Sequence, residues 1–322
     1  MAQMNAAVVR SFEEPPRYST FARPEPSGPH EVLADVVAAG LHPRVRTGAR
    51  GAHYTSSGTL PMIPGIDGVA RLHDGRLVYF VARDDAIGTM AEHTLVDQRR
   101  SLELPDGVDA IGVAAAMNPA MPSWVALRRR VPIEPTDSVL VLGATGNAGS
   151  MAVRVAKLLG ASAVIGAGRD ARRLAALSDL GADDVVRLSD DDEVRGRALA
   201  AAAAEVDIVI DYLWGLPAQH TIEALLRARS DRARRLDWIQ IGAVAGATLE
   251  LPSVALRSAN LRLQGCGQGS ISADVYRAEL PSLVEAISAG ALAVKTRVAP
   301  LAEVQRVFSE PDVPVERTVF VP

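Results

Sequence analysis

The chain has 322 residues, 48% hydrophobic and 22% charged, with a formal net charge of −4. That length and composition predict two globular domains, each with its own core, and show no bias toward disorder. The mildly acidic balance argues against a nucleic-acid surface, and a single cysteine, Cys266, excludes an intramolecular disulfide or a multi-cysteine zinc site.

From residue 5 to 97 the pattern is short strands, expected over 6–10, 31–39, 68–72, 76–81 and 93–96, separated by Pro24, Pro26, Pro29, Pro61 and Pro64. A mostly β domain is therefore expected. Residues 40–64 carry no regular pattern, and so long a polar segment inside a compact domain is a functional loop or a mobile one. Residues 108–129 read as a helix interrupted by Pro119 and Pro122. The basic run Arg128, Arg129 and Arg130 reads as its solvated end, and 131–137, with two prolines, as a linker.

From residue 139 the pattern alternates, with strands expected over 139–143, 163–166, 184–186, 206–212, 237–242 and 261–265 and helical periodicity between most of them. This predicts an α/β fold with a doubly wound parallel sheet. The alanine-rich stretch 198–204 reads as a surface helix. Helices are expected near 274–289 and 301–308, and a closing strand near 317–321. The start of the sequence lacks signal-peptide order, and no apolar run approaches the ~18 residues of a membrane span; a cytoplasmic protein is expected.

Residues 139–149 read Val-Leu-Val-Leu-Gly-Ala-Thr-Gly-Asn-Ala-Gly: four apolar residues, then Gly143, Gly146 and Gly149 at three-residue spacing, then a helical pattern. Gly146 and Gly149 fill the second and third positions of the dinucleotide fingerprint, while Ala144 stands at the first. Glycines suit such a turn because the chain reverses sharply and a pyrophosphate must approach backbone N–H groups. The helix start adds unpaired donors and partial positive charge. A plain βα turn of an unrelated α/β protein is the alternative. Cofactor choice is set at the end of the next strand, where an NAD site has a carboxylate for the ribose hydroxyls. Here Gly168 is followed by Arg169, with Arg172 or Arg173 as a second contact, which favours the 2′-phosphate of NADPH. Asp170 is the competing feature, and helix solvation is the plain reading of the arginines.

The order of a β-rich half, a central glycine turn, a nucleotide domain and a short return is similar, over nearly the full length, to the medium-chain dehydrogenase/reductases, specifically their zinc-independent, quinone-oxidoreductase-like branch. Residues 60–70, 88–92, the turn Gly143-x-x-Gly146-x-x-Gly149 and Arg317-Thr318-Val319 carry the resemblance. It implies a Rossmann domain over 124–270, binding NADPH, and a GroES-like catalytic domain over 1–123 and 271–322. The zinc-dependent relatives place a His where Ile66 stands and a Cys in the region here reading Gly40-Leu41-His42-Pro43-Arg44, and they carry a four-cysteine lobe that is missing. No metal is expected.

The resemblance further implies that Thr145, Asn147 and Ala148 line the pyrophosphate turn, that Tyr212 and Leu213 end the fourth strand beside the adenosine side, and that Gly242, Ala243 and Val244 pass the nicotinamide ribose with Gly265, Cys266 and Gly267. Cys266 reads as a packed residue, not a nucleophile. Without zinc, conjugate reduction is favoured over direct carbonyl reduction, because the charge of an enolate can be held by hydrogen-bond donors. The donors expected are His42, His53, Tyr54, Asn118 and Ser123. Of these, His42 stands where relatives commonly carry an Asn, and Tyr54 is the better proton-donor candidate of the pair His53 and Tyr54. Each is also readable as an exposed or packed residue. The expected function is metal-free, NADPH-dependent reduction of quinones, enones or other conjugated carbonyls. The alternatives are an alcohol/aldehyde dehydrogenase, a pathway-specific enoyl reductase, or a non-catalytic NADPH-binding sensor. The partner expected is a small-molecule substrate, with no nucleic acid and no membrane; a homodimer through residues 261–263 is compatible with the sequence.

Overall fold

The computed structural model describes residues 2–53, 55–267, 269–311, 313 and 316–322. The chain forms two compact units, Met1–Asn118 with Arg277–Pro322, and Pro119–Tyr276. The divisions fall inside the helices Ala110–Val125 and Ala273–Ser288.

The first unit is mostly β. Its seven-stranded sheet is built around the long strand Glu31–Leu41. The first half of that strand pairs with His93–Asp97, its second half with Glu316–Val321, and its other edge with Asp67–Arg71. Leu77–Val81 and Ser101–Glu103 extend one side and Lys295–Pro300 the other. A two-stranded sheet, Gln3–Val8 with Arg17–Ala22, buries Met4, Ala6 and Val8 with Leu41, Ile63, Met90, Val304 and Phe320 in one core.

Three strands go beyond the sequence expectation. Arg17–Ala22 and Lys295–Pro300 are polar and largely exposed, so no apolar alternation marks them, and Ser101–Glu103 is only three residues long. The segment 40–64 also needs correction: it opens with a helix, Pro43–Ala49, where proline occupies the first turn and needs no hydrogen bond from its nitrogen.

The second unit carries a six-stranded parallel sheet in the order Asp184–Arg187, Ala163–Gly168, Ser138–Leu142, Ile208–Asp211, Leu236–Gln240, Leu261–Gly265. All six strands were expected: most are short apolar runs bounded by turn residues, while Asp184–Arg187 and Leu261–Gly265 are short segments with only two apolar residues each, at the sheet's edges. Chain order reverses on either side of Ser138–Leu142, which creates the switch point where such sheets bind ligands. Register aligns the carboxyl ends Ala167, Leu142, Asp211, Gln240 and Gly265 in one row.

The helix Ala110–Val125 runs through Pro119 and Pro122, against the expected interruption, and continues as a wider turn over Ala126–Arg130. Each proline removes a ladder hydrogen bond, at about 3 kcal/mol in an ordinary helix interior. Burial of Val113, Met117, Ala120, Trp124 and Leu127 opposes that loss. By length and composition Ala110–Arg130 could cross a membrane, contrary to the reading of the sequence, but 67% of its apolar window is buried inside the fold, as in a core helix. The basic run is tied down: the Arg128 guanidinium stacks on Trp124, and Arg130 Nε donates to the Gly265 carbonyl.

Candidate functional site

The strand Ser138–Leu142 delivers the chain into Gly143, whose φ of 83° lies in the left-handed region that side chains avoid. The N–H groups of Gly143 and Ala144 both donate to the Ala167 carbonyl, which fixes the turn to the neighbouring strand. The helix Asn147–Leu158 then starts on Gly146 with no side-chain cap, and its first turn presents backbone donors to whatever lies before it. A Cβ on Gly149 would drive into the Gly143 carbonyl, so the tight turn requires glycine there.

At the end of the next strand a Cβ on Gly168 would lie 2.6 Å from Thr145 Cγ2, so the strand end packs closely against the turn and leaves no room for a side chain there. Asp170 is occupied as the cap of Ala171–Ala175: its carboxylate accepts from the Arg173 N–H at 3.0 Å, the main cause of its lowered pKa. Arg173 Nε lies 3.3 Å from the same carboxylate, so this arginine is engaged with Asp170, while Arg169 and Arg172 are exposed. Arg187, which sequence reasoning missed, pairs in register with Gly168 from the adjacent strand and is also exposed. Only the sheet order brings it there.

The fourth strand ends in Asp211, which is fully buried. Its Oδ1 accepts from the N–H groups of Leu213, at 2.8 Å, and Trp214, at 3.0 Å, and its Oδ2 from Trp238 Nε1 at 3.1 Å. Burial pushes its pKa up while these donors pull it down. The carboxylate holds Trp214 at φ 53°, a conformation rare outside glycine. Leu213 is thereby seated over Gly143, where a Cβ would meet Leu213 Cδ2 at 3.0 Å.

Three of the expected site residues converge beside this strand end. Tyr212 is buried, its pKa is raised by burial, and its hydroxyl neighbours Ser123 without completing a hydrogen bond. The Ser123 hydroxyl donates to Ala120 within its own helix. Cys266 lies close by, its thiol directed at the Pro122 carbonyl at 3.7 Å and pushed up by burial to about 11, as befits a packed residue. Gly242 packs its Cα against the Tyr212 backbone, Ala243 follows, and Val244 is 86% exposed. The Gly267 N–H donates to Ser270 Oγ.

In the first unit, His42 is 2% exposed at the end of the strand Glu31–Leu41. Its Nε2 lies 3.1 Å from Asp67 Oδ1, and Tyr79 donates its hydroxyl to Asp67 Oδ2 at 2.8 Å. Burial lowers the His42 pKa; the hydrogen bond and charge of Asp67 oppose that shift, and the more weakly felt charges of Arg317 and Arg44 add to it. His53 Nδ1 accepts from the backbone N–H of Thr55 and lies 2.8 Å from its hydroxyl. Burial, with the charge of Arg44, holds its pKa below the ordinary value. Asn118 is half-buried within its helix. Tyr54 lies outside the described residues. Among the described residues no three His, Cys, Asp or Glu side chains are grouped to hold a metal.

A family model described as a zinc-binding dehydrogenase matches residues 148–288. A probable NADPH-dependent quinone reductase of Emericella nidulans, tdiC, is 31% identical over 99% of this chain and 100% of its own. The chain belongs to the medium-chain dehydrogenase/reductases, in their quinone-oxidoreductase-like branch. A quinone oxidoreductase of Thermus thermophilus, solved also with NADPH, superposes with a TM-score of 0.80 at 25% identity, covering 99% of this chain and 100% of that one. A mycobacterial quinone oxidoreductase has the same fold, with a TM-score of 0.83 at 20% identity over 99% and 100% of the two chains. The donor set at the turn fits a dinucleotide pyrophosphate: a glycine turn packed backbone against backbone, leading into a helix start that no side chain caps.

Proposed function

We propose that the protein is an NADPH-dependent reductase of conjugated carbonyl compounds, with quinones as the leading class and enones beside them. The observation that carries the cofactor half is the end of the strand Ala163–Gly168. Asp170, the carboxylate that follows this strand in sequence and competes for an adenosine ribose, is committed to capping a helix. Arg169, with Arg172 and Arg187 nearby in sequence or register, leaves positive charge for a 2′-phosphate. The names of the Emericella and Thermus relatives support the same reading.

Gly143, Thr145, Gly146, Asn147, Ala148 and Gly149 would hold the pyrophosphate, and Arg169 the 2′-phosphate. When bound, the reduced nicotinamide supplies a hydride. The protein's part is to orient the acceptor, exclude water and stabilise charge on the substrate oxygen. Delivery to the β-carbon of a conjugated carbonyl places that charge in an enolate, which hydrogen-bond donors can hold. Tyr54, His53 and Asn118 are proposed as donors. Ser123 and Tyr212 are more deeply placed, and support the strand end on which Gly242 packs.

The test is oxidation of NADPH with a panel of quinones, enones and aldehydes, repeated with NADH. Turnover with quinones or enones and not with simple aldehydes is expected. Arg169→Ala is expected to raise the KM for NADPH about tenfold, equivalent to roughly 1.4 kcal/mol, and to leave that for NADH unchanged. Tight NADPH binding with no turnover on any member of the panel would instead identify a sensor.

A further inference from the structure

The corner that follows the strand Ile208–Asp211 turns on one buried side chain. Trp214 has φ 53° and ψ −162°, close to a region populated almost only by glycine, so its surroundings must hold it there. The carboxylate of Asp211 does so through two successive peptide groups: Oδ1 accepts from the N–H of Leu213 at 2.8 Å and from that of Trp214 at 3.0 Å. Trp238 Nε1, from the neighbouring strand Leu236–Gln240, donates to Oδ2 at 3.1 Å and anchors the carboxylate itself.

Each of those peptide groups also carries a carbonyl, and both carbonyls are in use. The Tyr212 carbonyl shares its peptide plane with the Leu213 N–H and accepts from the Val244 N–H at 3.3 Å. The Leu213 carbonyl shares its plane with the Trp214 N–H and accepts from the Ala245 N–H at 2.8 Å. Orienting the two N–H groups therefore orients the two carbonyls, and residues 242–245 hang from them. The packing leaves little slack: a Cβ on Gly242 would lie 2.8 Å from the Tyr212 oxygen, and one on Gly215 2.9 Å from the Ala245 oxygen. One carboxylate thus sets both the loop that carries the exposed Val244 and the Leu213 side chain over Gly143.

The sheet order decides which half of a dinucleotide this arrangement serves. A dinucleotide spans the switch point, with its adenosine half on the side of the strand that ends in Gly168, and Ile208–Asp211 lies on the opposite side of Ser138–Leu142. We infer that Asp211 is a positioning residue for the nicotinamide half of the cofactor. Being fully buried, it acts only through Leu213 and residues 242–245, which it fixes where that half is held. This assigns Tyr212 and Leu213 to the nicotinamide half, in place of the adenosine side expected from the sequence. The adenosine half does not depend on Asp211, because the glycine turn is fixed separately by the N–H groups of Gly143 and Ala144 on the Ala167 carbonyl. The inference rests on the NADPH site proposed above.

The test is a pair of dissociation constants, for NADPH and for adenosine bisphosphate carrying the 2′-phosphate, which contains the adenosine half alone. Both are measured on the whole chain, below the unfolding range of every variant. Asp211→Ala is expected to raise the Kd for NADPH about tenfold or more and to leave that for the bisphosphate within about twofold. Asp211→Asn, which keeps one acceptor oxygen, should recover part of the loss. Bound NADPH, excited in its nicotinamide band, should emit closer to the free cofactor in the alanine variant, a change that a purely structural role would not produce. Leu213→Ala leaves the three bonds of the carboxylate in place and carries the test if Asp211→Ala does not fold: NADPH alone should weaken, about threefold or more. Equal weakening of the two ligands, or no weakening of NADPH with parent-like emission, overturns the inference and leaves the proposed function standing. A parent protein that does not bind NADPH overturns both.

Discussion

At the scale of single residues, the turn after Ser138–Leu142 depends on Gly149 more than on any other glycine, because its missing Cβ is where the Gly143 carbonyl sits. Gly149→Ala therefore either pushes the helix Asn147–Leu158 away from the strand or distorts the Gly143 turn. Overpacking of this kind costs typically 1–3 kcal/mol, and it displaces the backbone donors proposed to meet a pyrophosphate. The expected outcome is a tenfold or greater rise in the Kd for NADPH, read by fluorescence titration, together with a lower Tm. Binding at the level of the unaltered protein would place the phosphates elsewhere. This glycine and Arg169 were legible because their meaning is local to a strand, a turn and a helix. Arg187 and the His42, Asp67 and Tyr79 chain were not, since only strand register and sheet order bring them beside their partners. Asp170 was visible, but its use as a helix cap was not, and that use changes its bearing on cofactor choice.

At the scale of elements, the strand Ile208–Asp211 and the helix Gly215–Ala228 are joined by a strained corner at Trp214, and one carboxylate holds it. Asp211→Ala would leave the Leu213 and Trp214 N–H groups and Trp238 Nε1 without their acceptor. Each buried donor left unmade costs about 1–3 kcal/mol, so a loss of roughly 3 kcal/mol or more is expected in urea unfolding. Asp211→Asn keeps one acceptor oxygen and should fall between the variant and the parent. If the alanine variant matches the parent, the corner is held by packing alone. Elements were readable where apolar residues run continuously, as in the central strands Ser138–Leu142 and Ile208–Asp211. They were unreadable where exposure hides the period, as in Arg17–Ala22, and where burial overrides a local breaker, as at Pro119 and Pro122.

At the scale of the whole molecule, the nucleotide unit has two chemically different ends. The amino ends of its strands are closed by charge: Asp207 accepts from Ser138 and pairs with Arg234 at 2.6 Å, Asp137 pairs with Arg235 at 2.6 Å, and Arg229 donates to the carbonyls of Ala204, Val206 and Arg235. The carboxyl ends carry glycines and a helix start instead. A ligand that neutralises that end binds the folded unit and not the unfolded chain, and at a hundred times its Kd it adds about 2.7 kcal/mol to stability. For a unit of this size that corresponds to a rise in Tm of roughly 5–10 °C. Adenosine bisphosphate carrying the 2′-phosphate should produce part of the shift without any nicotinamide, and AMP at the same concentration should produce much less, because Arg169 has no phosphate to meet. Equal shifts from the two nucleotides would remove the 2′-phosphate from recognition, and with it the ground for preferring NADPH, while leaving the glycine turn as a dinucleotide site.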